Sequence, residues 1–399
     1  MTNLKRRTLP VAVAAALGMG AVAWADQPSS PYQEVLQDAR QHSVLLADAK
    51  ASGGGFTIGQ GDTTLTILPG MQVRFVGNWG DDRKHGDSSI VTGFEVTRAR
   101  LDLEGQAFSP RLKFRAAWEA GDITGAVALL DAYGTYDLGD FALKIGQFKD
   151  LITHEGLVTW DKGLAVERSG VNEALGTPTA VAGRVQGVGI VFKSEQLAVE
   201  AAFHDGAGSA NTSFQDAGSL WGISARGEFK VSGKWADYAD MTARKTVDQL
   251  LVIGAGMDWT QVSGGNLIDF AIDAQFEMAK LGAYAAFIGN IADPFGYGDS
   301  TFDWGAVVQA GYALTDELEV FGRLGIVVLE DEIAGEDTFW EITAGVNYYL
   351  LNGAPGNGAK VTADVVWLPN GAVGSAYHNV IGLIGEPEIA VRIQLQVKP

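Results

Sequence analysis

The sequence contains no cysteine among its 399 residues. Exported chains commonly gain stability from disulfides, so this one must gain it otherwise. The same absence excludes thiol nucleophiles and thiolate-bound metals. Histidine is scarce, and His42, His85, His154, His204 and His378 are scattered with no His-x-x-x-His spacing. No Gly-x-Ser-x-Gly elbow is present. Gly53-Gly54-Gly55 lacks the Lys and Ser/Thr of a phosphate loop, and His204-Asp205-Gly206 reads as a turn at the end of a strand. The expectation is a protein that is not an enzyme and has no cofactor and no metal. A formal charge of −19 argues against a nucleic-acid partner. Long apolar runs are missing too, with one exception at the N-terminus. Lys5-Arg6-Arg7 precedes apolar Leu9 to Val22, and Ala23-Trp24-Ala25 supplies a small-x-small cleavage site. Residues 1–25 therefore read as a secretory signal peptide cut after Ala25. The run is short for a transmembrane helix and contains Gly18 and Gly20. The exported chain then has no helix to cross a membrane, and if it spans one it does so as strands.

What is present is alternation. Residues 94–119 read FEVTRARLDLEGQAFSPRLKFRAAWE. In the first run Ala99, Leu101 and Leu103 share one face, and Arg98, Arg100, Asp102 and Glu104 the other. After Ser109-Pro110, Leu112, Phe114, Ala116 and Trp118 oppose Arg111, Lys113, Arg115 and Glu119. Period two means strands, because successive side chains leave opposite faces of a sheet. A continuous apolar face opposite a densely charged one suits a membrane barrel with a wet lumen.

Sixteen segments carry the strand signal: 64–79, 93–106, 110–120, 127–137, 140–149, 184–193, 197–206, 220–230, 248–260, 267–278, 280–290, 303–313, 317–328, 338–351, 359–367 and 388–397. The predicted fold is all-β, a transmembrane antiparallel β-barrel of sixteen strands spanning 61–399. An even count returns both ends to one side. Connections alternate in length: short at 107–109, 138–139, 194–196 and 314–316, long at 80–92, 150–183, 207–219, 291–302, 329–337 and 368–387. The segment 231–247 breaks the rule by being long where a short turn is due. Residues 26–60 form an N-terminal periplasmic extension or a partial plug. Within it Tyr32 to Lys50 place Val35, Leu36, Ala39 and Leu46 loosely on one side of a short helix, and a disordered leader fits as well.

Trp118, Trp259, Trp304, Trp340 and Trp367 take apolar-facing positions, as core in a soluble sandwich or as interfacial anchors in a barrel. Acids gather in the long connections: Asp81, Asp82, Asp87, Asp293, Asp299, Glu330, Asp331, Glu332, Glu336 and Asp337. They are solvated loop charge, or they share divalent cations with lipopolysaccharide outside.

The basic face is the candidate site. Arg98, Arg100, Arg111, Lys113 and Arg115 crowd one hairpin, and like charges side by side repel. Either Asp102, Glu104 and Glu119 neutralise them as part of the structure, or an anion does. The second candidate is 150–183, which contains Trp160-Asp161-Lys162 and Val166-Glu167-Arg168-Ser169. A connection of this length without alternation is uncommon unless functional. Folded inward, it would narrow the pore, and Arg168 on it, with Arg184 and Arg226 on later strands, completes the predicted pore-lining set.

From about residue 65 onward the sequence resembles the phosphate-selective porin O and P family of bacterial outer membranes. The carriers are Val96-Thr97-Arg98-Ala99-Arg100-Leu101 with Gly105, Lys144-Ile145-Gly146-Gln147-Phe148-Lys149 with Glu155, Glu167-Arg168-Ser169, Arg184 with Gly187-Val188, Gln309-Ala310-Gly311-Tyr312, Gly345-Val346-Asn347-Tyr348-Tyr349-Leu350, and Arg392-Ile393-Gln394-Leu395-Gln396. The resemblance implies a homotrimeric porin in the outer membrane, in contact with lipid and lipopolysaccharide. It implies a third loop folded inward and lumen arginines that pass small anions such as phosphate. Arg98 matches an arginine of the family's constriction motif. Thr97 stands where characterised members often have a second one, and Val397-Lys398-Pro399 replaces the usual terminal aromatic residue. A general porin without anion preference, one that prefers cations, and an envelope barrel that does not conduct remain as alternatives.

Overall fold

A computed structural model describes residues 50–52, 55–80, 90–121, 126–176, 183–215, 218–243, 249–295, 298–333, 335–350, 358–373 and 385–398. The signal peptide, the helix expected up to Lys50, and Asp81, Asp82 and Asp87 lie outside them, save that Lys50 itself opens a strand.

The chain order is β1 (Lys50–Ser52), β2 (Gly55–Gln60), β3 (Thr63–Trp79), β4 (Ile90–Ala107), β5 (Ser109–Gly121), β6 (Val127–Asp137), β7 (Phe141–Lys149), β8 (Arg184–Lys193), β9 (Leu197–His204), β10 (Ser219–Ser232), β11 (Leu250–Val262), β12 (Gly265–Met278), β13 (Leu281–Pro294), β14 (Thr301–Ala313), β15 (Leu318–Ile333), β16 (Glu336–Tyr349), β17 (Ala359–Leu368) and β18 (Glu388–Val397). Helices are short. α1 (His154–Leu157), a 3₁₀ turn (Trp160–Lys162) and α2 (Gly170–Leu175) lie between β7 and β8, and α3 (Trp235–Tyr238) lies between β10 and β11. Each strand from β3 to β18 pairs antiparallel with its neighbour in sequence. The last closes the ring on the first, from Ile389↔Trp79 to Val397↔Met71. The result is a closed barrel of sixteen strands, and a closed barrel leaves no sheet edge unpaired. β2 extends the N-terminal half of β3 as a hairpin, from Phe56↔Ile67 to Gln60↔Thr63.

Alternation sets the two faces. On β18, Glu388, Ala390, Arg392, Gln394 and Gln396 point inward and are buried, while Ile389, Ile393 and Leu395 are exposed. On β11, Asp258 and Thr260 are buried between exposed Met257 and Trp259. The outer face thus carries Phe94, Ile145, Ile272, Val308 and Leu324 in contact with solvent. So large an exposed apolar surface is what hydrocarbon requires and what a soluble sandwich would hide. Trp259, Trp340 and Trp367 are outward and exposed as well.

Two long connections expected from the sequence are shorter in the structure. β13 and β14 leave only the short stretch 295–300 between them. β15 and β16 run on until Ile333 pairs with Glu336. The charged residues Glu330, Asp331, Glu332, Glu336 and Asp337 therefore ride on strands, not in a loop. Alternation fades there because both faces of the ribbon are wet: every residue from Glu330 to Ile333 is exposed.

Candidate functional site: the channel lumen

In the segment 150–183, called L3 below, the described residues 150–176 do not turn back after β7 but run inside the barrel. Its folding is local. Thr153 caps α1, its Oγ1 accepting from Gly156 N at 2.9 Å. Ser169 caps α2, accepting from Asn172 N. Glu155 ties the two caps together by accepting from Ser169 N at 2.9 Å and Ser169 Oγ at 2.6 Å. Arg168 donates to the carbonyls of Glu155 and Val158. Caps of this kind satisfy backbone groups that a short helix in a lumen would otherwise leave unpaired.

L3 lies against one wall. Ile152, Val158, Val171 and Leu175 share an apolar core with Ala271, Tyr284, Ala286, Ile288, Val307, Val327 and Phe339 of β12–β16. Polar anchors finish the attachment. His154 N donates to Asp273, Gly170 N to Glu341 and Val166 N to Asp364. Asn347 donates to Leu164 O and Lys360 to Gly163 O. At the far tip, Lys398 pairs with Asp161 at 2.8 Å, its ammonium 5.4 Å from the centre of the Trp160 ring. Lys398 thus serves as a clasp for L3.

The root of L3 is held separately. A Cβ on Gly256 would lie 2.2 Å from the carbonyl oxygens of Leu151 and Ile152, so only glycine lets L3 approach β11 this closely. Asp150 lies beside His204 and Asp258. The absence of a side chain at Gly222 lets the His204 ring cross β10, and its Nε2 comes within 2.8 Å of Asp258. Gly206 N donates to His204 Nδ1 at 3.1 Å. The three residues join the root of L3 to β9 and β11 as a latch. Burial and then the Asp258 carboxylate push Asp150 up to about 7, with His204 offsetting part of this. The folded latch holds a proton that the unfolded chain has already lost. Its contribution is full below the ordinary carboxylate value and is lost as pH rises through about 7. Amide exchange at Leu151 and Ile152, measured against Asp150→Asn at each pH, should therefore accelerate progressively from about pH 4 to about pH 7 and level off above that. A ratio that stays flat from pH 4 to pH 8 would refute the latch.

The opposite wall is β3–β8, which L3 reaches through Glu167, and most of the predicted residues are on it. Arg98 donates to Glu167 of L3 at 2.8 and 3.0 Å and to Gln72 at 2.7 Å. Arg100 pairs with Asp102 at 2.7 Å and Asp131 at 3.5 Å. Arg115 pairs with Glu104, with Asp131 at 3.2 Å and with Asp102 at 3.5 Å. Arg168 stands across from them on L3, 3.7 Å from Glu173. Arg184 is almost wholly buried on Asp131 at 2.7 Å. Arg226 lies on the L3 side, buried in a fork with Asp273 at 2.7 and 3.0 Å. Arg111 and Lys113 do not join this group. They have the expected parity but sit exposed near the β4–β5 turn, where Arg111 donates to Asp137 O.

Sequence reading missed Arg74, Arg323 and Arg392. Each is an isolated basic residue in an apolar strand, and its inward parity was the available signal. Arg74 pairs with Glu167 and donates to Thr97 at 2.6 Å. It thus carries a guanidinium to the Thr97 hydroxyl. A register shift beside Gln72 and Val73 makes this possible by bulging β4 at Thr97. Arg323 holds Glu341 and the carbonyl of Glu167, and Arg392 forks onto Asp364 at 2.8 Å twice. The wet side of the lumen is a network of matched charges, neither a bare basic patch nor a neutral wall.

A barrel closed by sixteen strands, with a loop folded into a charged lumen, has the anatomy of a porin. The family model for phosphate-selective porin O and P matches residues 71–381. The chain belongs to that family. The porin also shares its fold with solved structures at low identity. The anion-selective porin from Comamonas acidovorans is 12% identical with a TM-score of 0.61, covering 84% of this chain and 100% of that one. OmpT of Vibrio cholerae is 11% identical at 0.56, covering 85% and 99%. The outer membrane channel DcaP of Acinetobacter baumannii is 12% identical at 0.55, covering 85% and 98%. No curated protein matches the sequence. Family and fold together point to an outer-membrane channel protein rather than an enzyme.

Proposed function

We propose that this porin is a passive, water-filled channel for small solutes with a modest preference for anions, inorganic phosphate among them. One observation carries the reading. On the wall facing L3, Arg98 and Arg115 have side chains 14% and 17% exposed, while the carboxylates paired with them, Glu167 with Arg98 and Asp102 and Asp131 with Arg115, are 7%, 1% and 5% exposed. A passing ion meets guanidinium first. Paired N–H donors suit the oxygens of phosphate or a carboxylate. The preference is modest because Glu119 and Glu173 reach the same water, with side chains 22% and 17% exposed. The charge of −19 over the whole chain does not decide it, since an ion feels charges within about one Debye length, roughly 8 Å at physiological salt. Glu104, 43% exposed beside Arg115, favours the competing reading of a channel that prefers cations. Export by the signal peptide 1–25, assembly as a homotrimer and contact with lipopolysaccharide belong to the same proposal. The in-vitro folded OmpT of Vibrio cholerae, 11% identical, has a trimer form.

The deciding experiment is a planar bilayer with a potassium chloride gradient. The reversal potential of the wild-type channel is expected to take the anion-selective sign. The cation-selective sign would replace this reading with the competing one, and no conductance at all would leave a structural barrel.

A further inference from the structure

The connection between β10 and β11 is long at the end of the barrel where β3 begins and β18 finishes, and where the neighbouring turns are short. Its described part does not hang below the barrel. Trp235 opens it and pins it to the β8–β9 turn, donating from Nε1 to the carbonyls of Ser194 and Glu195 at 3.1 and 3.0 Å. The chain then climbs inward. Tyr238 is buried, its ring stacked on His154 of L3 with centroids 3.7 Å apart and planes within 11°. Its hydroxyl meets Arg226 and Glu228, both at 3.2 Å. Asp240 O accepts from Gln275 at 2.7 Å. Met241 N donates to Lys162 O of L3 at 3.1 Å, and Met241 Sδ accepts from Gln309 at 3.4 Å. Ala243 N donates to Glu319 at 2.7 Å. The segment therefore crosses the inner wall from β10 to β15 and touches L3 near its root, at His154, and near its tip, at Lys162.

We infer that this turn is a second constriction element, entering from the periplasmic end, and that Tyr238 and Met241 are positioning residues that hold L3 against its wall. The physical reason is coverage. Met241 belongs to the same apolar core as Ile152, Val158, Val171 and Leu175. Without it that core would open to lumen water on its lower side. Tyr238 covers the His154 ring in the same way. A loop that borders a wet passage stays in one position only if its apolar side is closed off, and the turn closes it. The segment also occupies lumen volume itself, so the narrowest section is set jointly by L3 and the turn, not by L3 alone. The consequence for conduction rests on the channel reading; the contact between turn and loop does not.

Two measurements test it. The first is single-channel conductance of Tyr238→Ala combined with Met241→Gly. Conductance is expected to rise on the order of two-fold, because pore width at the narrowest point sets the current. Open-channel noise should rise as L3 fluctuates. The sign of the reversal potential should not change, since Arg98, Arg100 and Arg115 are untouched. A heat-modifiable, folded double variant with wild-type conductance and noise would overturn the inference. The second measurement is independent of conduction and of that variant's folding. The chain has no native cysteine, so the pair K162C/M241C can be oxidised cleanly. Loss of both thiols in the folded barrel is expected, and free thiols after oxidation would overturn the contact. A wild-type protein that does not conduct would defeat the channel reading while the thiol result still reported on the turn.

Discussion

Arg226→Ala is expected to destabilise the barrel by about 3–5 kcal/mol, the usual cost of leaving one member of a buried ion pair behind. Arg226 and Asp273 have side chains 2% and 1% exposed. Among the described residues, Asp273 keeps the backbone amide of His154 alone once the guanidinium is gone. Arg226 also donates to Ile152 O at 3.0 Å and Tyr238 Oη at 3.2 Å, so the root of L3 and the turn below it lose a common partner. Lysine would not rescue the site, because a single ammonium cannot reproduce a two-pronged fork with two further donors. Removing both charges, as Arg226→Met with Asp273→Leu, should recover much of the loss, since an apolar pair leaves no buried charge without a counter-charge. Equilibrium urea unfolding in phospholipid reads all three variants. Arg226→Ala within about 1 kcal/mol of wild type, the range of an exposed pair, would show that Arg226 faces water after all.

The strands were legible because physics forces period two on them: lipid outside, water and charge inside. The stretches 127–137, 184–193 and 388–397 have the same bounds in sequence and structure. Legibility failed where that forcing stops. Beyond the membrane both faces of β15 and β16 are wet, the pattern dissolves, and strand was read as loop. The charges were legible by parity but not by depth, so Arg111 and Lys113 were grouped with Arg98 although they lie near the turn. Pairing was not legible at all. Glu167 is one loop residue among many until its placement brings it to Arg74 on β3 and Arg98 on β4. Asp150, His204 and Asp258 come from three distant segments, and no spacing rule joins them. The long 231–247 connection was visible as an exception, but only its contacts with His154 and Lys162 give it a role.

Replacing Arg98 and Arg115 together with alanine should behave in the opposite way from Arg226→Ala, although the residue type is the same. No buried carboxylate is orphaned. Glu167 keeps Arg74, Asp131 keeps Arg184 at 2.7 Å, and Asp102 keeps Arg100 at 2.7 Å. Glu104 is 43% exposed and returns to water. Stability should therefore shift by no more than about 1 kcal/mol, the range of partly exposed pairs. Selectivity should shift far more. Two positive charges leave the wet wall of the constriction, and each acts on a passing ion with about 1 kcal/mol at 4 Å in water before screening. The change works with opposite sign on anions and cations. Together the two losses should lower the anion-to-cation permeability ratio on the order of ten-fold, and more weakly as salt is raised. In a potassium chloride gradient the reversal potential should move to the cation-selective side, with Glu119, Glu173 and Glu104 then dominating the passage. An unchanged reversal potential in a folded variant would mean that ions do not pass along the β4–β5 wall, and the route would have to lie elsewhere in the lumen.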